Sequence, residues 1–238
     1  MLRNQTIERL KELKLQGMAD AFEQQLAHPE TYDLGFEDRL GLLVDREVAL
    51  RDTRRLERLL RAAKLRQDAC LEDINYRHSR GLDKRQMASL ATCDWMRARQ
   101  NLLITGCCGL GKTWIACAFG NAAARQGLSV HYARCGRLLE DLTVSHGNGT
   151  YARRLVSLAR IDVLILDDFA LKKLQAQERT DLLDILEDRT QRKTTIVTSQ
   201  IPVTDWHDTI GSPTMADAIM DRLLSKSHRI VLQGASMR

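Results

Sequence analysis

The chain has 238 residues, of which 44% are hydrophobic and 28% are charged, a balance typical of one or two globular domains. No run of about 18 apolar residues is present, which excludes a hydrophobic membrane-spanning helix, and the charged N-terminus lacks the apolar core of a signal peptide. The net charge of +5 indicates an anionic partner, and six cysteines without C-x-x-C spacing indicate reduced thiols. We therefore expect a cytoplasmic protein that does not bind membranes.

The first 70 residues have the pattern of an all-helical domain. Apolar residues recur at mostly three- and four-residue steps from Ile7 to Leu26, and a break follows at Pro29. A second helical pattern begins near Phe36 and continues to about Leu65. These patterns predict a small helical N-terminal domain over residues 1–70.

The second half of the longer helical pattern is rich in arginine. Five arginines recur at three- and four-residue steps, which places them on one face of a helix, and a lysine follows them: Arg51, Arg54, Arg55, Arg58, Arg61 and Lys64. Such a stripe is suited to binding the phosphate backbone of a nucleic acid or another polyanion. The alternative is a solvated helix face that is partly neutralised by nearby acids such as Glu57.

Residues 71–98 form a polar connector, and from residue 99 the sequence alternates between strand and helix patterns. Short apolar runs predict five strands, at residues 101–105, 129–133, 162–167, 194–199 and 228–232. Strands separated by helices predict an α/β fold with three layers, in which a five-stranded, mostly parallel sheet lies between helices. This second domain would span residues 99–238.

The most specific motif follows the first predicted strand. Residues 106–113 read GCCGLGKT and match the phosphate-binding loop G-x-x-x-x-G-K-[ST]. The backbone N–H groups of such a loop bind the phosphates of a nucleoside triphosphate, its lysine reaches the β- and γ-phosphates, and its hydroxyl binds Mg²⁺. We expect the nucleotide to contact the loop and the residue after it, namely Gly106, Cys107, Cys108, Gly109, Leu110, Gly111, Lys112, Thr113 and Trp114.

Two adjacent carboxylates end the third predicted strand. Asp167 and Asp168 follow four apolar residues, VLIL, and an acid at the C-terminal end of a buried strand is a typical Mg²⁺ ligand in this class of fold. We expect Asp167 to bind the ion together with Thr113, and Asp168 to orient and polarise the water that attacks the γ-phosphate. The alternative, an N-cap for the following helix, explains one aspartate but not the apolar strand before it.

Polar residues at the end of the fourth predicted strand are candidates for contact with the γ-phosphate. Gln200 is the first choice and Ser199 the second. Arginines late in such a domain can stabilise the charge of a phosphoryl-transfer transition state. Considered alone, however, Arg222 is more typical of an ion pair on a helix surface.

Together, these segments resemble the IstB/DnaC-like group of AAA+ ATPases. The resemblance rests on GCCGLGKT, LILDDF, VTSQIP, DAIMDRL and GASMR, in that order, and covers residues 71–238. The N-terminal part, with LKLQGMADAF and the arginine-rich helix, is similar to the IstB branch of bacterial transposition helper ATPases. The stretch TSQIPVTDWHDTIGSPTMADAIMDRL is also similar to that branch.

The resemblance implies a P-loop NTPase core of the AAA+ type that binds ATP and Mg²⁺, assembles as a ring or filament on duplex DNA, and assists a transposase. It implies that Arg222 is the arginine finger that reaches the ATP of a neighbouring subunit, and that Arg238 is the sensor-2 arginine acting on its own ATP. Residues 198–200 would be sensor 1. Many AAA+ members have glutamate where this chain has Asp168, as IstB and DnaC relatives do, and sensor 1 is often asparagine where this chain has Gln200. We also expect no helical lid after the sheet.

Three other functions use part of the same sequence pattern. A replicative helicase loader of the DnaC type shares the ATPase core but would bind a helicase and single-stranded DNA. A small-molecule kinase would need a substrate pocket and a mobile lid after the nucleotide core. A DNA-binding protein with a decayed ATP site would not be expected to keep Lys112, Thr113, Asp167 and Asp168.

Overall fold

The computed structural model describes residues 2–78 and 80–236. The chain divides into two units, Met1–Arg58 and Leu59–Arg238, each with its own internal contacts. The functional extents predicted above, with boundaries near residues 70 and 98, stay predictions. Within the described ranges, no helix is both long enough and apolar enough to cross a membrane.

The first unit is built from helices. Helix α1 covers Leu2–Glu12 and α2 covers Gln16–Ala27; a short 3-10 helix at Pro29–Asp33 leads to α3, Phe36–Ala63, whose last turns belong to the second unit. The apolar pattern from Ile7 to Leu26 is therefore divided between two helices. The division falls at Lys14, which has a left-handed backbone conformation (φ 60°) that a continuous helix does not contain.

A close contact between α2 and α3 holds the first unit together. A Cβ atom on Gly17 would lie 2.7 Å from the carbonyl oxygen of Arg46, so only glycine allows the two helices this approach. Buried Glu47 accepts hydrogen bonds from the N–H groups of Gly17 (2.7 Å) and Met18 (3.2 Å). The carboxylate thus caps the first turn of α2, where unpaired N–H groups and the helix dipole both favour an anion.

All five predicted strands are present and parallel, which confirms the predicted α/β fold class. They are β1 (Asn101–Gly106), β2 (Val130–Arg134), β3 (Val163–Phe169), β4 (Thr194–Ser199) and β5 (Ser227–Leu232), and their order in the sheet is β2-β3-β4-β1-β5. Their ends differ from the predicted ends by at most two residues. Because β4 lies between β1 and β3, its last residues stand between the loop after β1 and the acids at the end of β3.

Helices cover both faces of this sheet and complete the three layers. In chain order they are α4 (Lys84–Ala91), α5 (Asp94–Arg97), α6 (Lys112–Arg125), α7 (Cys135–Gly147), α8 (Tyr151–Arg160), α9 (Ala176–Arg189), α10 (Trp206–Ile210) and α11 (Pro213–Leu224). Helix α6 packs on one face, where Gly120 lies against Ile165 of β3. On the other face, Leu164 and Leu166 of β3 join a core formed with α7, α9, α10 and α11.

Candidate functional site

The loop between β1 and α6 has a backbone that requires glycine. Gly106 and Gly109 have φ values of 146° and 84°, in the region that side chains disfavour. A Cβ on Gly106 would overlap the carbonyl oxygen of Leu232, and one on Gly109 would overlap the hydroxyl of Ser236. The loop therefore lies tightly against the segment that follows β5, with its exposed side facing a cavity of about 510 Å³.

Lys112, the first residue of α6, folds back across the loop. Its side chain is only 7% exposed, and its Nζ donates a hydrogen bond of 2.8 Å to the carbonyl oxygen of Cys107. Burial lowers the pKa of Lys112, because desolvation disfavours the ammonium form. The lysine is thus already held on the cavity side. There its ammonium group could donate hydrogen bonds to an anionic ligand in place of those it no longer makes to water.

Asp167 is fully buried and accepts several hydroxyl hydrogen bonds. Thr113 Oγ1 donates to Asp167 Oδ1 at 2.9 Å, and Tyr132 donates its hydroxyl to Oδ2 at 2.6 Å. Thr198 of β4 also donates to Oδ1. A threonine hydroxyl beside a carboxylate is an all-oxygen donor pair that suits Mg²⁺. Since the described residues contain no group of three or more His, Cys, Asp or Glu ligands, this pair would share the ion with phosphate and water.

Asp168 points differently from Asp167 because the strand is irregular between them. The register of β3 against β4 shifts between Leu166 and Phe169, and Asp168 has a left-handed φ of 57°. Its N–H donates to Thr198 Oγ1 (3.1 Å), and its carboxylate lines the cavity. A bulge of this kind re-aims a side chain, and such backbone strain is frequent at functional sites.

The two polar residues at the end of β4 have different surroundings. Ser199 is fully buried, and its hydroxyl donates to the carbonyl oxygen of Phe169 at 2.9 Å. Gln200 lines the cavity, with its Nε2 3.5 Å from Asp168 Oδ1. Of these two candidates, Gln200 is the one that a ligand in the cavity can reach.

Several residues at the site were not predicted from the sequence. Arg134, the last residue of β2, pairs with Asp168 Oδ2 at 3.0 Å, and Arg66 Nη1 lies 3.9 Å from Asp167 Oδ2. Arg80 is 4% exposed and donates to the carbonyl oxygen of Leu110 at 3.0 Å. All three arginines line the cavity and make it strongly cationic.

The missed residues differ in how visible they are in the sequence. Arg134 directly follows a predicted strand, and the C-terminal edge of a parallel sheet is where ligands bind, so this position was a usable signal. Tyr132 lies inside a predicted strand, where an aromatic residue is common, and carries no such signal. In the fold, burial and its hydrogen bond to Asp167 raise the pKa of Tyr132, so the phenol stays a donor.

Arginines in the C-terminal part of the chain do not line the nucleotide cavity within the residues that the structure describes. Arg222 on α11 pairs with Glu187 and donates to the carbonyl oxygen of Ala218 at 2.8 Å. Arg189 is 1% exposed and donates hydrogen bonds to the backbone carbonyl groups of Leu158, Ile161 and Thr194, near the N-terminal ends of β3 and β4, which is a structural role. Arg238 falls outside the residues that the structure describes.

The arginine-rich part of α3 is exposed. All six predicted DNA-binding side chains face solvent: Arg51, Arg54, Arg55, Arg58, Arg61 and Lys64. Arg51 is also tied to Glu47 by a 2.7 Å ion pair. Lys64 has a φ of 52° and lies just after the end of the helix. Their role in binding DNA stays a prediction.

Comparison with known proteins supports a nucleotide site. A family model described as "IstB-like ATP binding protein" matches residues 8–238. An insertion sequence ATP-binding protein of Sinorhizobium fredii is 47% identical over 238 residues, covering 100% of this chain and 97% of that protein. An ATP-binding protein of insertion sequence IS1162 from Pseudomonas fluorescens is 51% identical over 203 residues, covering 85% of this chain and 88% of that protein.

Solved structures share the fold. DnaI matches with a TM-score of 0.59 and 22% identity over 76% of this chain and 93% of that chain. The DnaC helicase loader matches with a TM-score of 0.57 and 19% identity over 69% of this chain and 97% of that chain. At these identities the likeness concerns the fold alone.

Proposed function

This chain belongs to the IstB-like ATP-binding protein family, and on that premise we propose that it is a Mg²⁺-dependent ATPase that assembles on duplex DNA and assists an insertion-sequence transposase. The ATPase role rests on one observation above all. The hydrogen bond of 2.9 Å from Thr113 to Asp167 joins the phosphate-binding loop to the acidic end of β3. The role in transposition rests on the names of the relatives, and a bacterial cytoplasmic location fits it.

Each group at the cavity has a role that follows from its position. The loop N–H groups and Lys112 would bind the phosphates of ATP, while Thr113 and Asp167 would hold Mg²⁺, which neutralises phosphate charge when bound. Asp168 faces the same cavity and would orient the attacking water and accept its proton. Arg134 would fix the direction of that carboxylate. Gln200 would contact the γ-phosphate.

The positions of the arginines favour a site that is completed by a second subunit. Arg222 is engaged with Glu187 and does not line the cavity of its own chain. An arginine finger at this position would therefore act on the ATP of a neighbour, and hydrolysis would depend on assembly. ATP would act as a switch that favours the assembled state, with Arg238 acting on the same subunit's nucleotide.

Duplex DNA is the proposed anionic partner of the exposed arginines on α3. Three of them, Arg54, Arg55 and Arg58, lie on one face of that helix within the first unit and are exposed. Lysine and arginine side chains that neutralise successive phosphates release counterions, which is the main source of sequence-independent DNA affinity.

Steady-state ATP hydrolysis, measured without DNA, with duplex DNA and with single-stranded DNA of equal length, tests this function. We expect duplex DNA to stimulate hydrolysis most, and Lys112→Ala to remove the activity under all three conditions. Stimulation by single-stranded DNA alone would instead favour the DnaC-like helicase loader. ATP binding without any hydrolysis would contradict the catalytic role of Asp168.

A further inference from the structure

Two exposed thiols lie in the phosphate-binding loop. All six cysteines are free; Cys107 and Cys108 are exposed, whereas Cys93, Cys117 and Cys135 are buried. Burial raises the pKa of Cys93 to about 11 and that of Cys135 to about 12, so these thiols are both shielded and protonated at neutral pH. Thiol reagents in solution should therefore react with the exposed loop cysteines before the buried ones.

Cys108 is the loop thiol that borders the nucleotide cavity. It lines the cavity of about 510 Å³ together with Lys112 and Asp168, among other residues. The Lys112 ammonium lies close by, since its Nζ is 2.8 Å from the carbonyl oxygen of Cys107. With Arg66 and Arg134, it gives this cavity a cationic lining that attracts anionic reagents as well as phosphates.

The loop has little room to move away from an added group. Its Gly109 backbone touches Ser236 so closely that a Cβ would overlap the hydroxyl. A Cβ on Gly111 would also lie close to a neighbour, 2.8 Å from Arg80 Nη1. Because Cys108 lines the cavity and the loop is held in place, a bulky group attached to its sulfur would compete for the space that the nucleotide phosphates need.

We propose that Cys108 is a modification site at which a low-molecular-weight disulfide of the glutathione class forms a mixed disulfide that excludes ATP. The inference rests on the ATP-binding function proposed for this loop. The Cys108 thiolate attacks one sulfur of the reagent, a new S–S bond forms as the old one breaks, and the departing thiolate takes a proton from water.

The mixed disulfide is not readily resolved by the neighbouring thiol. Adjacent Cα atoms across a trans peptide lie about 3.8 Å apart, whereas disulfides usually join Cα atoms about 4.4–6.8 Å apart. A Cys107–Cys108 bridge would thus be strained, and the adduct persists until an external thiol reduces it. ATP and the adduct are mutually exclusive, so each lowers the occupancy of the other.

The test treats the full-length protein with oxidised glutathione, maps adducts by mass spectrometry, and measures binding of a fluorescent ATP analogue. We expect an adduct on Cys108, at least tenfold weaker ATP binding, and full recovery with dithiothreitol. If Cys108 reacts only in protein molecules that have no ATP bound, ATP at ten times its Kd slows modification of Cys108 about elevenfold. Cys70, which is half-buried beside Arg125, provides an internal control whose modification rate ATP should not change.

Serine variants assign the effect to one thiol, each being compared with itself before and after treatment. The ATP affinity of Cys108→Ser should not respond to oxidised glutathione, whereas that of Cys107→Ser should still fall. A response in Cys108→Ser, or unchanged affinity of wild-type protein carrying the Cys108 adduct, overturns the inference. Reduced, untreated protein that binds no ATP contradicts the proposed function instead.

Discussion

Replacing Lys112 with alanine should weaken ATP binding without unfolding the protein. The side chain is 7% exposed and is held beside the loop by its hydrogen bond to Cys107. A hydrogen bond to a charged group contributes about 1.5–3 kcal/mol, and a tenfold change in Kd corresponds to about 1.4 kcal/mol. Loss of the contact to the phosphates therefore predicts roughly 10- to 150-fold weaker binding. The midpoint of thermal unfolding should change little, because the ammonium is desolvated in the free protein.

Titration with a fluorescent ATP analogue measures this change directly. Lys173→Ala is a matched control, since that lysine is exposed and does not line the cavity. The control should bind the analogue as the wild type does. A Lys112→Ala variant that keeps an affinity within twofold of the wild type would refute the assignment of this cavity as the phosphate site.

Four further changes test other parts of the site and the fold. Asp168→Asn should bind ATP but hydrolyse it about 100-fold more slowly or worse, and stay assembled; normal single-turnover rates would contradict a water-activating role. Arg222→Ala should bind ATP yet lose DNA-stimulated hydrolysis, and retained activity would place the finger elsewhere. Reversing the charges of Arg54, Arg55 and Arg58 should reduce the slope of log K for DNA binding against log salt concentration by roughly 2–3. An unchanged slope would show that DNA binds elsewhere. Burial alone would raise the pKa of Glu47, but hydrogen bonds from Arg51 and two backbone N–H groups outweigh it and hold the pKa below the usual glutamate value of 4.5. A carboxyl group whose pKa is lower in the folded than in the unfolded state stabilises the fold at pH values above its unfolded-state pKa. This stabilisation is lost as the pH falls through its folded-state pKa. The destabilisation by Glu47→Gln, about 1.5 kcal/mol at neutral pH, should therefore shrink below pH 4.5 in denaturant unfolding; a constant difference would contradict this.

The sheet and the loop could be predicted because their sequence signals are local. Each strand is a short apolar run, and the loop is a contiguous motif whose glycines have positive φ values in the structure. The first helical pattern was less informative, because the break at Lys14 depends on one residue with left-handed φ and not on a proline or glycine.

The side chains that complete the site could not be predicted because tertiary structure brings them together. Arg66 and Tyr132 are far apart in sequence from Asp167, and only the pairing of β2 with β3 places the phenol beside that carboxylate. The different orientations of Asp167 and Asp168 similarly depend on a bulge against β4. A sequence shows that two acids are adjacent, but it does not show which of them the strand buries.

Particle size on duplex DNA is the measurement that most directly tests an ATP-controlled assembly. Light scattering would compare the protein with duplex DNA in ATP and in ADP, with single-stranded DNA of equal length as the reference. We predict large particles on duplex DNA in ATP that disperse in ADP. Equal particle size in both nucleotides, or assembly on single strands alone, would contradict an ATP switch that acts on duplex DNA.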